Sequence, residues 1–369
     1  MFQAEICSAD ELLAFARTLG AERAQSAFNA PLWLEPLIET LAPHAGAEAM
    51  GLIVRRRECG RIAGVLPLVV RSEHGLKTVR FADFGVSDYA APLMGDAWPE
   101  AGDEAAAAAF RQAVRDGLSA YDVLRIERLT PTILGRPNPL TAYAGAGASR
   151  MAGNVIVVPD TVAAYVAALG RKIRKEVDRC RRNIEEEGTL VLSRATTGSE
   201  ALAALDALDS LQAARWKDTE GRYRLDQPAF VRFYRAVAER GVPAGFAEVM
   251  TVHSKDVLVG AVFGIHAADR FIVLRIASDD GRWGRFSPGR ITVLAVMDCL
   301  VGAGVRTFDL GIGSYDFKRR LGAEPLALVD VTAPLSWIGF PMAAGVRTKA
   351  FLGRQPALKR IADQIRGRA

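Results

Sequence analysis

Residues 271–290, FIVLRIASDDGRWGRFSPGR, and residues 291–320, ITVLAVMDCLVGAGVRTFDLGIGSYDFKRR, decide how the rest of the chain is read. The apolar run from Phe271 to Ala277 predicts a strand. A turn-rich loop follows and closes on Ser287-Pro288-Gly289-Arg290, where a helical pattern starts at once. Ser287 stands where an N-cap is expected, and Pro288 suits a first helical turn. Gly289 lets the backbone approach a ligand closely, and the first free N–H groups of a helix point at an anion. Arg285 and Arg290 flank that spot with guanidinium groups able to fork onto phosphate oxygens. A second strand, Val305 to Leu310, and a short basic turn complete the unit. Strand, anion-binding loop, helix and strand together suit a pyrophosphate. On its own the Ser-Pro-Gly step reads more readily as an ordinary helix start.

Outward from this unit the pattern is mixed. Strands are expected at 2–7, 49–56, 61–71, 77–84, 121–128, 154–158, 189–195, 245–253, 257–267, 270–278 and 305–310. Helices are expected at 9–19, 31–42, 104–118, 161–187, 199–216, 227–240 and 289–303. Consecutive antiparallel strands followed by one helical crossover make an α/β fold with a mixed, mostly antiparallel sheet. The order strand, loop, helix, strand occurs twice, over 77–128 and over 270–310, so the halves read as distant copies. The first copy's helix entrance carries Asp96, Glu100, Asp103 and Glu104. Those acids suit a helix dipole and would repel a pyrophosphate.

At 369 residues with half of them apolar, the chain is long enough for two compact domains. Cys7, Cys59, Cys180 and Cys299 show no C-x-x-C spacing, which suggests a reducing compartment and no zinc site. The N-terminus has early acids and no basic n-region, so no signal peptide is expected. The apolar run Val331 to Val346 is broken by Pro334 and Pro341 and is too short to span a bilayer. A cytoplasmic location, with or without contact to a membrane surface, is therefore expected. The histidines His44, His74, His253 and His266 lack metal-ligand or triad spacing, and neither a metal site nor a Ser-His hydrolase is expected.

The net charge of +5 is unevenly spread. Residues 347–369 hold seven basic residues against Asp363 alone. With Phe351, Leu352, Leu358, Ile361 and Ile365 among the cations, this tail reads either as a solvated helix docked on the body or as an amphipathic helix on an anionic membrane. The charged run 171–187 reads as a helix bridging two domains. It lacks interleaved aromatics, so nucleic acid is not an expected partner.

The chain resembles the GNAT superfamily of acyl-CoA N-acyltransferases, and within it the FemAB-like or CelD-like branch. The matching pieces are Gly85-Val86-Ser87-Asp88-Tyr89 with Pro92, Arg215-Trp216 with Gly221, and Leu258-Val259-Gly260-Ala261. Asp280 ahead of the Ser-Pro-Gly step and Asp309 through Gly313, Tyr315 and Lys318 complete the set. The superfamily's usual glycine-rich loop, Arg/Gln-x-x-Gly-x-Gly, is absent. The resemblance implies tandem GNAT-like domains: an N-terminal one over 1–160 that shapes the acceptor site without binding CoA, a linker helix at 161–188, and a CoA-binding one over 189–335. A basic tail over 336–369 would follow.

The same resemblance implies the chemistry. Acyl-CoA would be a cosubstrate, with no permanently bound cofactor. Backbone N–H groups near Ala277 and Ser278 would hold the donor carbonyl, and Arg285, Ser287, Gly289 and Arg290 the pyrophosphate. Tyr315 is the candidate general acid for the departing thiolate. Asp280 is the first candidate for general base, and Asp309 the second carboxylate near the loop. Asp88, Tyr89, Arg215, Trp216 and Lys318 are candidate contacts for an amine acceptor, a long-chain amino lipid or an amino sugar of the cell envelope. Two other classes fit the resemblance: an aminoacyl-tRNA-dependent peptidyl transferase of the FemABX type, and a non-catalytic scaffold for polysaccharide synthesis.

Overall fold

A computed structural model describes residues 1–18, 26–216, 224–313 and 316–352, without the side chains at 215, 216, 224 and 349–352. The first strands are β1 (Phe2–Ser8), β2 (Glu48–Arg56), β3 (Ile62–Glu73), β4 (Leu76–Phe81) and β5 (Leu93–Met94). Then come β6 (Val123–Leu129), the small pair β7 (Thr132–Ile133) and β8 (Arg136–Pro137), β9 (Ala146–Ala148) and β10 (Gly153–Val157). The later strands are β11 (Leu190–Arg194), β12 (Ala247–Ser254), β13 (Val257–Ala267), β14 (Arg270–Ser278), β15 (Thr307–Asp309), β16 (Glu324–Leu326) and β17 (Val329–Pro334). Helices α1 (Ala9–Thr18), α2 (Pro31–His44), α3 (Glu104–Gly117), α4 (Val162–Ala168) and α5 (Arg171–Glu187) occupy the first part. Helices α6 (Gly198–Trp216), α7 (Pro228–Gly241), α8 (Asp280–Trp283), α9 (Pro288–Gly302), α10 (Asp316–Arg320) and α11 (Phe340–Leu352) follow.

Two sheets share one plan. The first runs β1-β2-β3-β4-β6-β17-β9, with β5 paired to β3, and the second runs β11-β12-β13-β14-β15-β10-β16. In each, a single neighbouring pair is parallel, β4 with β6 and β14 with β15, and the other pairings are antiparallel. Each parallel pair is joined through a helix, α3 or α9, as a parallel connection requires. The fold is therefore α/β with two mixed, mostly antiparallel sheets.

The sixth strand of each sheet departs from the expected boundaries. β10, placed by sequence in the first half, pairs with β15 and β16 of the second sheet. β17, placed in the second, pairs with β6 and β9 of the first. The two compact units are accordingly Met1–Asn29 with Ala45–Met151 and Ala327–Ala369, and Ala30–His44 with Ala152–Leu326. The helix expected over 161–187 is two helices, interrupted at Leu169, which is extended (φ −65°, ψ 150°), and Gly170. Neither piece is a free linker. Val177, Cys180 and Ile184 of α5 are buried in the core of the second unit.

The core of the first unit lies between its sheet and α3, whose Phe110, Ala113 and Val114 cover Leu52, Leu66 and Leu124. In the second unit α9 lays Val293, Val296, Met297 and Leu300 against Phe271 and Phe308. The nearly continuous apolar run of β13 reflects burial on both faces. Its two glycines set how closely the neighbours approach. A Cβ at Gly260 would lie 2.3 Å from Thr292 Oγ1 of α9, and one at Gly264 would lie 2.4 Å from the Phe271 ring.

Candidate functional site

The second sheet forks at its parallel pair. β14 and β15 are in register only over Arg270–Ile272 and Thr307–Asp309. Beyond Ile272, β14 runs six residues further, to Ser278, with β13 on one side only. An irregularity in the β13 pairing falls at this divergence, because Phe263 opposes Arg275 while Gly264 opposes Val273, leaving Leu274 as the extra residue. In an antiparallel edge every second residue turns its N–H and C=O away from the neighbour. The Asp279 N–H donates to the Val259 carbonyl, so by alternation Ala277 faces β13, and the amides of Ile276 and Ser278 are the ones turned toward the fork.

A clamp of side chains supports that free half. Arg275 is buried, donates from Nε to Gln212 Oε1 at 2.9 Å, pairs with Asp209, and lies 5.0 Å from the Tyr234 ring centre. Gln212 in turn donates to the Ile276 carbonyl at 3.4 Å. Sequence reasoning passed over these residues. The only signal was the spacing of Asp209 and Gln212 on one face of a helix.

At the end of β14 the chain turns into α9, whose N-terminus lies at the carboxyl end of the strand, where α/β sheets bind ligands. Ser278 Oγ donates to Asp280 at 2.8 Å, and Asp279 caps the single-turn helix α8 by accepting the Arg282 N–H at 3.1 Å. Ser287 precedes α9 with a left-handed backbone, φ 50° and ψ 55°, and makes no side-chain cap bond. Pro288 has no N–H, and the Arg290 and Ile291 N–H groups donate back to the Ser287 carbonyl at 3.0 and 3.3 Å. The Gly289 N–H is the donor left in this first turn. A Cβ at Gly289 would lie 3.3 Å from Ser278 Oγ, so the turn and the strand end are close neighbours.

The two arginines assigned to this turn part company. Arg285 is exposed and rests on Phe286, its guanidinium 4.6 Å from the ring centre. Arg282 rests on Trp283 in the same manner at 5.0 Å. Arg290 instead faces inward and is 8% exposed, with Nη1 3.3 Å from Glu176 of α5. This corrects its expected place beside the anion. As the third helical residue it lies on the face that α5 covers, where Trp283, Phe286 and Ile291 pack on Cys180 and Ile184. Arg282, not Arg290, is the second exposed cation of the turn.

The carboxylates separate as well. Asp280 is exposed at the mouth of the turn. Asp309 is fully buried, ion-paired with Arg270, and accepts the Gly311 N–H at 2.8 Å. That corrects its candidacy as a base, since a carboxylate with no exposure, held by the part-buried Arg270 and a backbone N–H, is not presented to an acceptor amine. Lys318 is 5% exposed and donates to the Gly311 and Ile312 carbonyls at 3.2 and 2.7 Å. It fastens the loop after β15 and is not presented to an anionic substrate. Asn154 of β10 adds bonds to the Gly311 and Gly313 carbonyls at 2.8 and 2.9 Å. Tyr315 follows that loop and lies outside the described residues, as do the Arg215 and Trp216 side chains.

In the first unit the equivalent helix entrance is already filled. Asp103 caps α3 by accepting the Ala106 N–H at 2.9 Å. Tyr89 is buried in a core contact, its ring centre 6.0 Å from that of Phe28. This corrects its assignment as a substrate contact. Asp88 beside it is half-buried, in the loop where Asp83 pairs with Arg128 at 2.7 Å. His266 faces its partner Phe271 at the start of β14, the far end from the turn, and its Nε2 lies 3.1 Å from Glu248. Burial raises the Glu248 carboxyl, but hydrogen bonds from His266 and Arg194 outweigh it and hold its pKa below the usual carboxylate value.

Residues 171–319 match the family model described as an acetyltransferase (GNAT) domain. Among solved structures, the crystal structure of FemX is similar at 14% identity and a TM-score of 0.59, over 94% of this chain and 100% of that one. A second is the C-terminal domain (DUF2156) of a protein described as a lysylphosphatidylglycerol synthetase from Agrobacterium fabrum. It shows 12% identity and a TM-score of 0.51, over 94% of this chain and 97% of that one. A search of curated protein sequences finds no match. At such identities the two structures speak for the fold alone, and the family match covers the segment that carries the fork and the α9 turn. Residues 171–319 thus match a GNAT domain, and the two sheets of one strand order give the chain the fold of a tandem GNAT protein.

Proposed function

We propose that the chain transfers an acyl group from acyl-CoA to an amine of a cell-envelope precursor, an amino lipid or an amino sugar. The observation that carries this reading is the fork of β14 and β15 opening beside the uncapped start of α9. The Gly289 N–H with Arg282 and Arg285 supplies donors for a pyrophosphate, and the free edge of β14 supplies amides for a thioester carbonyl. The filled entrance of α3 argues that the first unit takes no donor.

In this reading the acceptor nitrogen attacks the thioester carbon, a C–N bond forms and the C–S bond breaks. The amine proton leaves to Asp280, directly or through a water. The departing thiolate takes a proton from Tyr315. Holding both partners in the fork contributes by orientation.

Calorimetry with CoA tests the donor assignment. Affinity in the micromolar range, about −8 kcal/mol, is expected for the wild type. Arg282→Glu with Arg285→Glu should weaken it about tenfold or more, since both substitutions place charge against phosphate. Equal binding by the two proteins would remove the turn from the reading. Binding of aminoacyl-tRNA without CoA would replace the donor.

A further inference from the structure

One surface feature of the first unit has no part in acyl transfer. Ser336-Trp337-Ile338-Gly339-Phe340 joins β17 to α11, and there Trp337 is 87% exposed, Phe340 63% and Ile338 42%. Large apolar side chains are normally among the more buried residues, so three within four positions call for a cause. Their exposure is built into the backbone. The Leu335 and Ser336 N–H groups donate to the Asp122 carbonyl at 2.8 and 3.3 Å, and Ser336 Oγ donates to the Asp122 carboxylate at 2.7 Å. The Gly339 N–H donates to Ser336 Oγ at 3.4 Å. Gly339 is pressed so close that a Cβ there would lie 2.0 Å from the Asp122 carbonyl oxygen. Asp122 itself accepts the Lys77 N–H at 2.8 Å. The turn is thus bolted to the end of the first sheet, with its apolar side chains held in water.

Charge says what covers them. No ionisable residue occurs from Thr332 to Val346, and the chain then places seven cations against one acid up to residue 369. Tryptophan and phenylalanine beside lysine and arginine are the composition of a membrane interface, where rings enter the headgroup region and cations meet anionic phosphates. A second copy fits poorly, since three side chains fall well short of the roughly 1,000 Å² a specific interface buries. Two tails of the same sign would also repel. No described helix is long and apolar enough to cross a membrane, so any contact made here lies on the surface. We propose that Trp337, Ile338 and Phe340 form an interfacial anchor that seats the first unit on an anionic phospholipid bilayer.

Flotation of the full chain with phosphatidylcholine vesicles, with and without phosphatidylglycerol, tests this. The wild type should float with the anionic vesicles and be released by salt. Trp337→Ser with Phe340→Ser should lower partitioning about tenfold or more while leaving thermal unfolding unchanged, because both side chains are exposed. Trp33, Trp98 and Trp283 are buried. In a Trp216→Phe background, which removes the fifth tryptophan, a blue shift of tryptophan emission on vesicle binding should therefore come from Trp337 and vanish when Trp337→Phe is added, a variant that still binds. Equal partitioning of the Ser double variant, or a blue shift that survives Trp337→Phe in the Trp216→Phe background, would overturn the anchor. So would indifference of the wild type to both vesicle types, or a dimer that the double variant abolishes.

Discussion

Asp280 and Asp309 lie near opposite ends of the stretch from the end of β14 to the end of β15, and their surroundings are opposite in kind. Asp280 is exposed and accepts one hydroxyl, so its charge is open to an incoming amine. Asp309 has no exposure and is consumed by Arg270 and the Gly311 N–H. Asp309→Asn would remove the fully buried member of its pair with Arg270, whose side chain is 28% exposed, and should cost about 1–3 kcal/mol. Urea denaturation should register that loss, with CoA affinity of the folded protein little changed. Asp280→Asn should do the reverse, with stability held within about 0.5 kcal/mol and kcat reduced about 10–10³-fold. Full activity in Asp280→Asn would take the general base away from this carboxylate. Ser287 points to the same site from the backbone, since a left-handed serine with no cap bond is the kind of local strain that collects at functional turns.

At the scale of elements, β13 makes the fork possible. Gly264 faces the irregularity of β14, and Phe271 fills the space its missing side chain leaves. A Cβ there would also stand 2.5 Å from the Ile272 carbonyl, a backbone atom that cannot turn aside. Gly264→Ala should therefore cost about 1–3 kcal/mol by overpacking and shift the start of the fork. Hydrogen exchange would show it as faster exchange in β14 and β15, and unchanged protection there would mean the fork is set elsewhere. The β14–α9–β15 unit was legible because its signals are local: β-branched runs, a proline in the first helical turn, a glycine beside it. Arg290 was not legible in the same way, because its direction depends on α5, packed there through Cys180 and Ile184 from more than a hundred residues upstream. Lys318 misled for a like reason. Its partners are carbonyls, which leave no mark in a sequence. The break at Leu169 and Gly170 hid inside a pattern that is helical on both sides.

The whole molecule repeats one sheet plan twice and exchanges the sixth strands between its halves. Sequence reading found the repeat and missed the exchange, since Gly153–Val157 and Val329–Pro334 are short apolar runs whose partners are fixed only by distant pairing. The consequence is that Val329–Pro334, late in the chain, is internal to the first unit. β17 lies between β6 and β9, with Val331 and Ala333 buried in that core. A chain ending at Leu326 would keep every strand of the second sheet and lose a strand of the first that is paired on both sides. It would also lose α11, which docks through the buried Ala343. The first unit should then forfeit more than about 5 kcal/mol, the whole stability of a typical domain. A chain ending at Leu352 retains β17 and α11 and should fold. Native-state hydrogen exchange separates the two. In the shorter chain the amides of β4 and β6 should exchange within the dead time while β12, β13 and β14 stay protected. In the longer chain both sets should be protected. Protection of β6 in the chain ending at Leu326 would mean that the first sheet closes without β17, and that the exchanged strand is an addition to the fold and not part of its core.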